Sequence, residues 1–123
     1  MAARLAAADP SNAGWQRDLS VSQEKIGDVL LAQGDLAGAL KAYRESLAVA
    51  ARLAAADPSN AGWQRDLFVS YWRMADMAEK NGTGDAREWW RKAYENLSAM
   101  KHRGIMLPTD EQYLTQLKQK VGL

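Results

Sequence analysis

AARLAAADPSNAGWQRDL, residues Ala2 to Leu19, recurs letter for letter at Ala50 to Leu67, an offset of 48. Ser20 against Phe68 is the first mismatch, and Val21-Ser22 matches Val69-Ser70 again. The identity therefore runs through a helix end, a turn and the start of the next helix. Self-similarity at a fixed period marks a stacked array, in which one repeat cannot bury its apolar face without a neighbour.

The remaining composition agrees with such an architecture. A chain of 123 residues, 47% hydrophobic and 25% charged, suits one soluble domain with a modest core. Much of the apolar share is alanine, and proline is confined to Pro10, Pro58 and Pro108, which favours helices over strands. The expected class is all-α. Sixteen basic residues nearly cancel fifteen acidic ones, so no global field draws the chain to nucleic acid or to an anionic membrane. The absence of cysteine excludes disulfides, thiolate metal sites and a thiol nucleophile. No apolar run has the length of a signal peptide or membrane span, and a cytoplasmic location is expected.

Taken in order, residues 1–9 read as the tail of an incomplete repeat, because Met1 aligns with Val49 inside a longer helix. Asp9-Pro10-Ser11-Asn12 is turn chemistry with Asn12 as N-cap. From Ala13 to Gln33, Trp15, Leu19, Ile26, Val29 and Leu30 recur at helical spacing, giving one amphipathic helix of roughly 30 Å. Gly34 then stops it and Asp35 caps the next helix, which carries Leu36, Leu40, Tyr43, Leu47 and Ala50 on one stripe and ends at Asp57-Pro58. Residues 12–57 thus form a first antiparallel hairpin. Residues 60–103 form a second, with Trp63, Leu67, Met74, Met77 and Ala78 on its first helix and Ala86, Trp90, Ala93, Leu97 and Met100 on its second. Thr109-Asp110-Glu111-Gln112 is a capping-box pattern opening a terminal capping helix at 109–121, with Tyr113, Leu114, Leu117 and Val121 on its apolar side.

The segment Ile26-Gly27-Asp28, Leu30, Gln33-Gly34-Asp35-Leu36, Ala39-Leu40, Tyr43, Leu47 resembles the tetratricopeptide repeat. In that family's pattern Ile26-Gly27 fills the Leu-Gly pair, Leu30 the tyrosine, Ala39 the small residue and Tyr43 the phenylalanine. Gln23 departs from the family's tryptophan, while Tyr71 restores an aromatic there in the second unit. The period of 48 exceeds the family's usual value of about 34. The excess places about two extra turns on each helix, and seven residues per insertion keep Trp15, Leu19, Trp63 and Leu67 on the original face. The resemblance implies a right-handed α-solenoid of elongated antiparallel hairpins with a C-terminal capping helix. Trp89 falls where Ala39 sits, so the second hairpin is expected to pack in a shifted manner.

Candidate chemistry is sparse. His102 lies near a helix end, where it meets the helix dipole. Lys25 and Arg73 each stand three residues before Asp28 and Asp76, the spacing of an intrahelical ion pair. No nucleophile triad, phosphate loop or metal-ligand spacing occurs, so neither an enzyme nor a cofactor or metal site is expected. The aromatic residues carry more information. Where the first unit has Ser20, Gln23 and Glu24, the second has Phe68, Tyr71 and Trp72. These pack on Trp89, Trp90 and the cap, or they anchor a peptide.

On the tetratricopeptide resemblance, the concave surface comes from the first helix of each pair. The candidate partner-binding residues are Glu24, Lys25, Asp28, Phe68, Trp72, Arg73, Asp76 and Lys80. Glu24 and Asp28, or Trp72 and Asp76, replace the lysine and asparagine of the family's carboxylate clamp, which disfavours an acidic tail. The expected function is a non-enzymatic interaction module that binds a peptide or helix of a partner protein. The alternative is a structural spacer or self-assembly element of a longer array. A weak homodimer through an open N-terminal end, using Leu5, Trp15, Leu19 and Ile26, is the expected oligomeric contact.

Overall fold

Asn12 and Asn60, the last residues of the two duplicated Pro-Ser-Asn sequences, each accept a hydrogen bond at 3.0 Å, from the backbone N–H of Trp15 and Trp63 respectively. Each satisfies one of the donors that a helix start leaves without an intrahelical partner. The structure, a computed structural model, describes residues 12–123. The expected helix tail at 1–9, with Leu5, lies outside the described residues. Those described form five α-helices, α1 (Ala13–Ala32), α2 (Leu36–Ala56), α3 (Ala61–Asn81), α4 (Ala86–His102) and α5 (Glu111–Val121), with a 3-10 turn at Pro108–Asp110. The expected all-α class is what the described chain adopts.

The break between α1 and α2 follows from Gly34, whose φ of +83° is open to glycine at little cost. Asp35 N–H returns to Leu30 C=O at 2.8 Å, and the Asp35 carboxylate accepts from Gly38 N–H at 2.9 Å to open α2. Gly82, at φ +62°, ends α3 in the same way. Asp85 departs from the parallel. It makes no side-chain cap bond to α4 and accepts instead from the indole Nε1 of Trp89 at 3.1 Å.

The chain divides into two units after Ala56. In the first, α1 packs on α2, and the two buried residues of α1 are small: Ser20 and Gly27. Ser20 Oγ lies 2.9 Å from Ser46 Oγ and donates to Ser46 C=O at 3.0 Å. Gly27 lies against the buried ring of Tyr43. Of the apolar stripe read along α1, Trp15, Leu19 and Leu30 are half-buried. Ile26 and Val29 are exposed.

In the second unit α3 packs on α4, and α4 on α5. Their shared core holds Phe68, Ala75, Trp90, Ala93, Leu97, Met100, Leu114, Leu117 and Val121. Trp89 does not occupy the buried site that Ala39 fills in the first unit. It stays half-buried on the flank of α4, its ring 6.3 Å from Tyr71 and 4.9 Å from Lys92 Nζ. The capping-box reading also needs correction. Asp110 precedes α5 without a side-chain cap bond, and Gln112 Nε2 donates to Thr109 C=O at 3.1 Å. The Asp110 carboxylate is taken by a side chain 45 residues away.

Candidate functional site

Six residues of α3, Arg65, Phe68, Val69, Trp72, Arg73 and Asp76, fall at the i, i+3, i+4, i+7 spacing that puts them on one helix face. Tyr113 of α5 closes the far side, and together they line a cleft of about 390 Å³. That volume lies in the range of sites that hold a small ligand or a side chain with its flanking backbone.

The floor is aromatic. Trp72 meets Phe68 edge to face with centroids 5.9 Å apart, Tyr113 at 5.4 Å and Trp90 at 4.8 Å, each in a T-shaped arrangement. Such pairs set the positive edge of one ring against the negative face of another, about 0.5–1.5 kcal/mol beyond burial. Trp72 is thereby held on three sides while still lining the cleft.

The wall begins with Arg65. Its guanidinium donates from Nε to Asp110 Oδ2 at 2.9 Å and from Nη2 to Oδ1 at 3.2 Å. Asp110 is 1% exposed, so the fork supplies the countercharge that a buried carboxylate needs. The hydrogen bond to Asp110 raises the Arg65 pKa above its ordinary value, with burial opposing it. Arg65 thus joins the cleft to the start of the capping helix. At the other end Asp76 pairs with Lys80 at 3.0 Å, one turn further along α3. Beyond it, Glu79 accepts from Lys120 Nζ at 2.9 Å and from the Trp90 indole at 2.5 Å, and these bonds hold its carboxyl below the usual range.

Phe68, Trp72, Arg73 and Asp76 of the expected partner-binding set come together in this cleft, with Phe68 buried as its floor. Lys80 sits beside it as the partner of Asp76. Glu24, Lys25 and Asp28 belong to α1 in the other unit. Glu24 is half-buried and Lys25 exposed. Asp28 accepts from the Tyr43 hydroxyl at 2.6 Å. Of the residues expected at an oligomer contact, Trp15 and Leu19 are half-buried and Ile26 is 48% exposed. His102 is exposed in the last turn of α4.

Arg65 and Tyr113 were absent from the sequence-derived set. Arg65 could have been added, since it precedes Phe68, Val69 and Trp72 at three, four and seven residues. Tyr113 carries no local signal for this role, because its place against Phe68 and Trp72 depends on how α5 returns to α3. Among the described residues no group of three acidic, histidine or cysteine side chains could hold a metal ion, and no helix is long and apolar enough to cross a membrane. No family model, curated protein or solved structure matches the chain. The tetratricopeptide resemblance rests on the residues that carry it.

Proposed function

We propose that the chain is a non-enzymatic protein-interaction module, a right-handed α-solenoid of tetratricopeptide-like hairpins working in the cytoplasm. On this reading the α3 face takes a peptide or helix from a partner protein. The cleft over Trp72 supports it best. Its floor of Phe68, Trp72 and Tyr113 offers rigid apolar area at small entropic cost, and Arg65, Arg73 and Asp76 border it with both signs of charge. A segment that suits it is amphipathic, with one large apolar side chain seated on Trp72 and charged neighbours meeting the walls. Aromatic and arginine side chains in a desolvated pocket carry most of the energy of such interfaces.

The test is selection from a displayed library of amphipathic peptides on the purified chain, repeated with Trp72→Leu and Arg73→Gln. Circular dichroism must show that both variants keep their helicity. Peptides with a large apolar anchor are expected to enrich on the parent chain and to lose at least tenfold in affinity on either variant. Equal enrichment on all three proteins would reject the cleft as the binding site.

A spacer or self-assembly element is the second reading, and the literal repetition of residues 2–19 at 50–67 favours it. Copying a unit without change preserves length and junction geometry while leaving a groove undiversified.

A further inference from the structure

Away from the α3 cleft, Tyr94, Ser98, Lys101 and His102 of α4 and Leu114 and Lys118 of α5 line a cavity of about 380 Å³. Ser98, Lys101 and His102 follow Tyr94 at four, seven and eight residues, and Lys118 follows Leu114 at four, so each set stands on one helix face. Leu114 is buried and Tyr94 and Ser98 are half-buried, while the three basic side chains are exposed. Among the described residues no acidic side chain lines the cavity, whereas Asp76 lines the α3 cleft. Helix ends account for only part of this basic rim. Lys101 and His102 lie in the last turn of α4 and Lys118 in that of α5, where a cation meets the helix dipole favourably. The carbonyls there are already satisfied by the backbone: those of Ala99, Lys101 and Met100 accept from Arg103, Gly104 and Ile105 N–H, and those of Gln119 and Lys118 from Gly122 and Leu123 N–H. The basic side chains are therefore not consumed in closing the helices.

We infer that this cavity binds a small carboxylic acid with an aryl or alkyl body. Lys101 Nζ is balanced by Glu111 at 2.5 Å, whereas among the described residues Lys118 pairs with no carboxylate. The two lysines thus leave one uncompensated positive charge, which matches a monoanion and leaves a phosphate dianion half unbalanced. His102 adds a ring N–H in either protonation state, and the hydroxyls of Tyr94 and Ser98 can each donate to a carboxylate oxygen. The apolar body rests on Leu114 and the ring of Tyr94. Apolar walls with a few polar groups to fix orientation are the usual make-up of a small-molecule site, and the volume falls in the same range.

The cavity shares no residue with the α3 cleft, and peptide binding there stands or falls independently of it. The test follows the amide signals of the intact chain by NMR while hydrocinnamate and octanoate are added in turn, with hydrocinnamamide as the neutral control and phenyl phosphate as the dianion. Both acids are expected to give saturable shifts at Ser98, Leu114 and Lys118, and hydrocinnamate to bind at least tenfold more tightly than its amide and more tightly than phenyl phosphate. Lys118→Gln should weaken both acids at least tenfold, and Lys118→Arg should restore them. Lys92→Gln, which removes a cation beside Trp89 on the same helix, should leave them unchanged. These substitutions are at exposed positions, and circular dichroism confirms that helicity is kept. The absence of saturable shifts with either acid would overturn the inference. So would equal affinity for acid and amide, tighter binding of phenyl phosphate, indifference to Lys118→Gln, or shifts centred on Trp72.

Discussion

Gly27 sits so close to the ring of Tyr43 that a methyl group added to it would lie 2.5 Å from Tyr43 Cε1 and 2.8 Å from Cδ1. The ring is 3% exposed, and its hydroxyl donates to Asp28 Oδ1 at 2.6 Å. The ring is therefore packed along its edge and tethered at its tip to the residue next to the glycine. Gly27→Val is expected to destabilise the chain by about 1–3 kcal/mol through overpacking. Urea denaturation measures it, and an unchanged midpoint would place Gly27 away from the helix contact.

The second unit offers a natural control for that contact. At the aligned positions it has Ala75 and Ala93, both fully buried in its core. Gly27→Ala combined with Tyr43→Ala recreates that pair in the first unit. The double variant is expected to be more stable than the sum of the single losses by about 1 kcal/mol, the size of coupling seen between touching residues. Strict additivity in a double-mutant cycle would mean that the two side chains do not share the space.

The Arg65–Asp110 fork predicts unequal partners. Arg65→Met leaves a carboxylate buried without its countercharge, whereas Asp110→Asn leaves a guanidinium that is 39% exposed and can meet water. The arginine variant should lose about 2 kcal/mol or more, and the asparagine variant less. Chemical denaturation of the two variants gives the order directly, and the reverse order would show that the fork does not stabilise α5 against α3.

Glu79 predicts a response to acid. Its carboxyl is held below the ordinary value of 4.5, first by the hydrogen bond from Lys120 and then by that from Trp90. A folded-state pKa lowered in this way contributes stability that is complete above the ordinary value and is lost as pH falls through the lowered one. The difference in Tm between the parent chain and Glu79→Gln should be largest near neutrality and shrink below pH 4.5. Added salt should narrow it at neutral pH, since both side chains are partly exposed. A difference independent of pH would remove the ion pair from the account.

Several features of the fold were legible because their causes are local. Asn12 and Asp35 cap the helix starts expected of them, Asn60 in the duplicated segment does the same, and Gly34 and Gly82 stop helices in the left-handed conformation that glycine permits. Gly27 was marked by its place in the Leu-Gly pair of the resemblance, and in the structure it lies against the Tyr43 ring of the facing helix, where only the smallest residue fits. Asp110 shows where such reading ends. Its sequence context fits a helix cap, but a guanidinium from α3 makes two hydrogen bonds to the carboxylate, which makes no cap bond to α5.

The repeated segment separates the two kinds of information within one molecule. Ala13 to Leu19 and Ala61 to Leu67 have the same sequence, and their described helix starts have the same cap at the same distance. Leu19 is nevertheless half-buried where Leu67 is buried, and Ile26 is exposed where Met74 is not. Phe68, in the place of Ser20, enters a core completed by Tyr113 and Leu114, more than forty residues away. By itself the sequence determined the helices, their ends and the period, because caps, glycine turns and apolar spacing act within a few residues of each other. Only the tertiary structure decided which stripe of α1 faces outward and which aromatic residues form a core, because burial depends on surfaces brought together from distant parts of the chain.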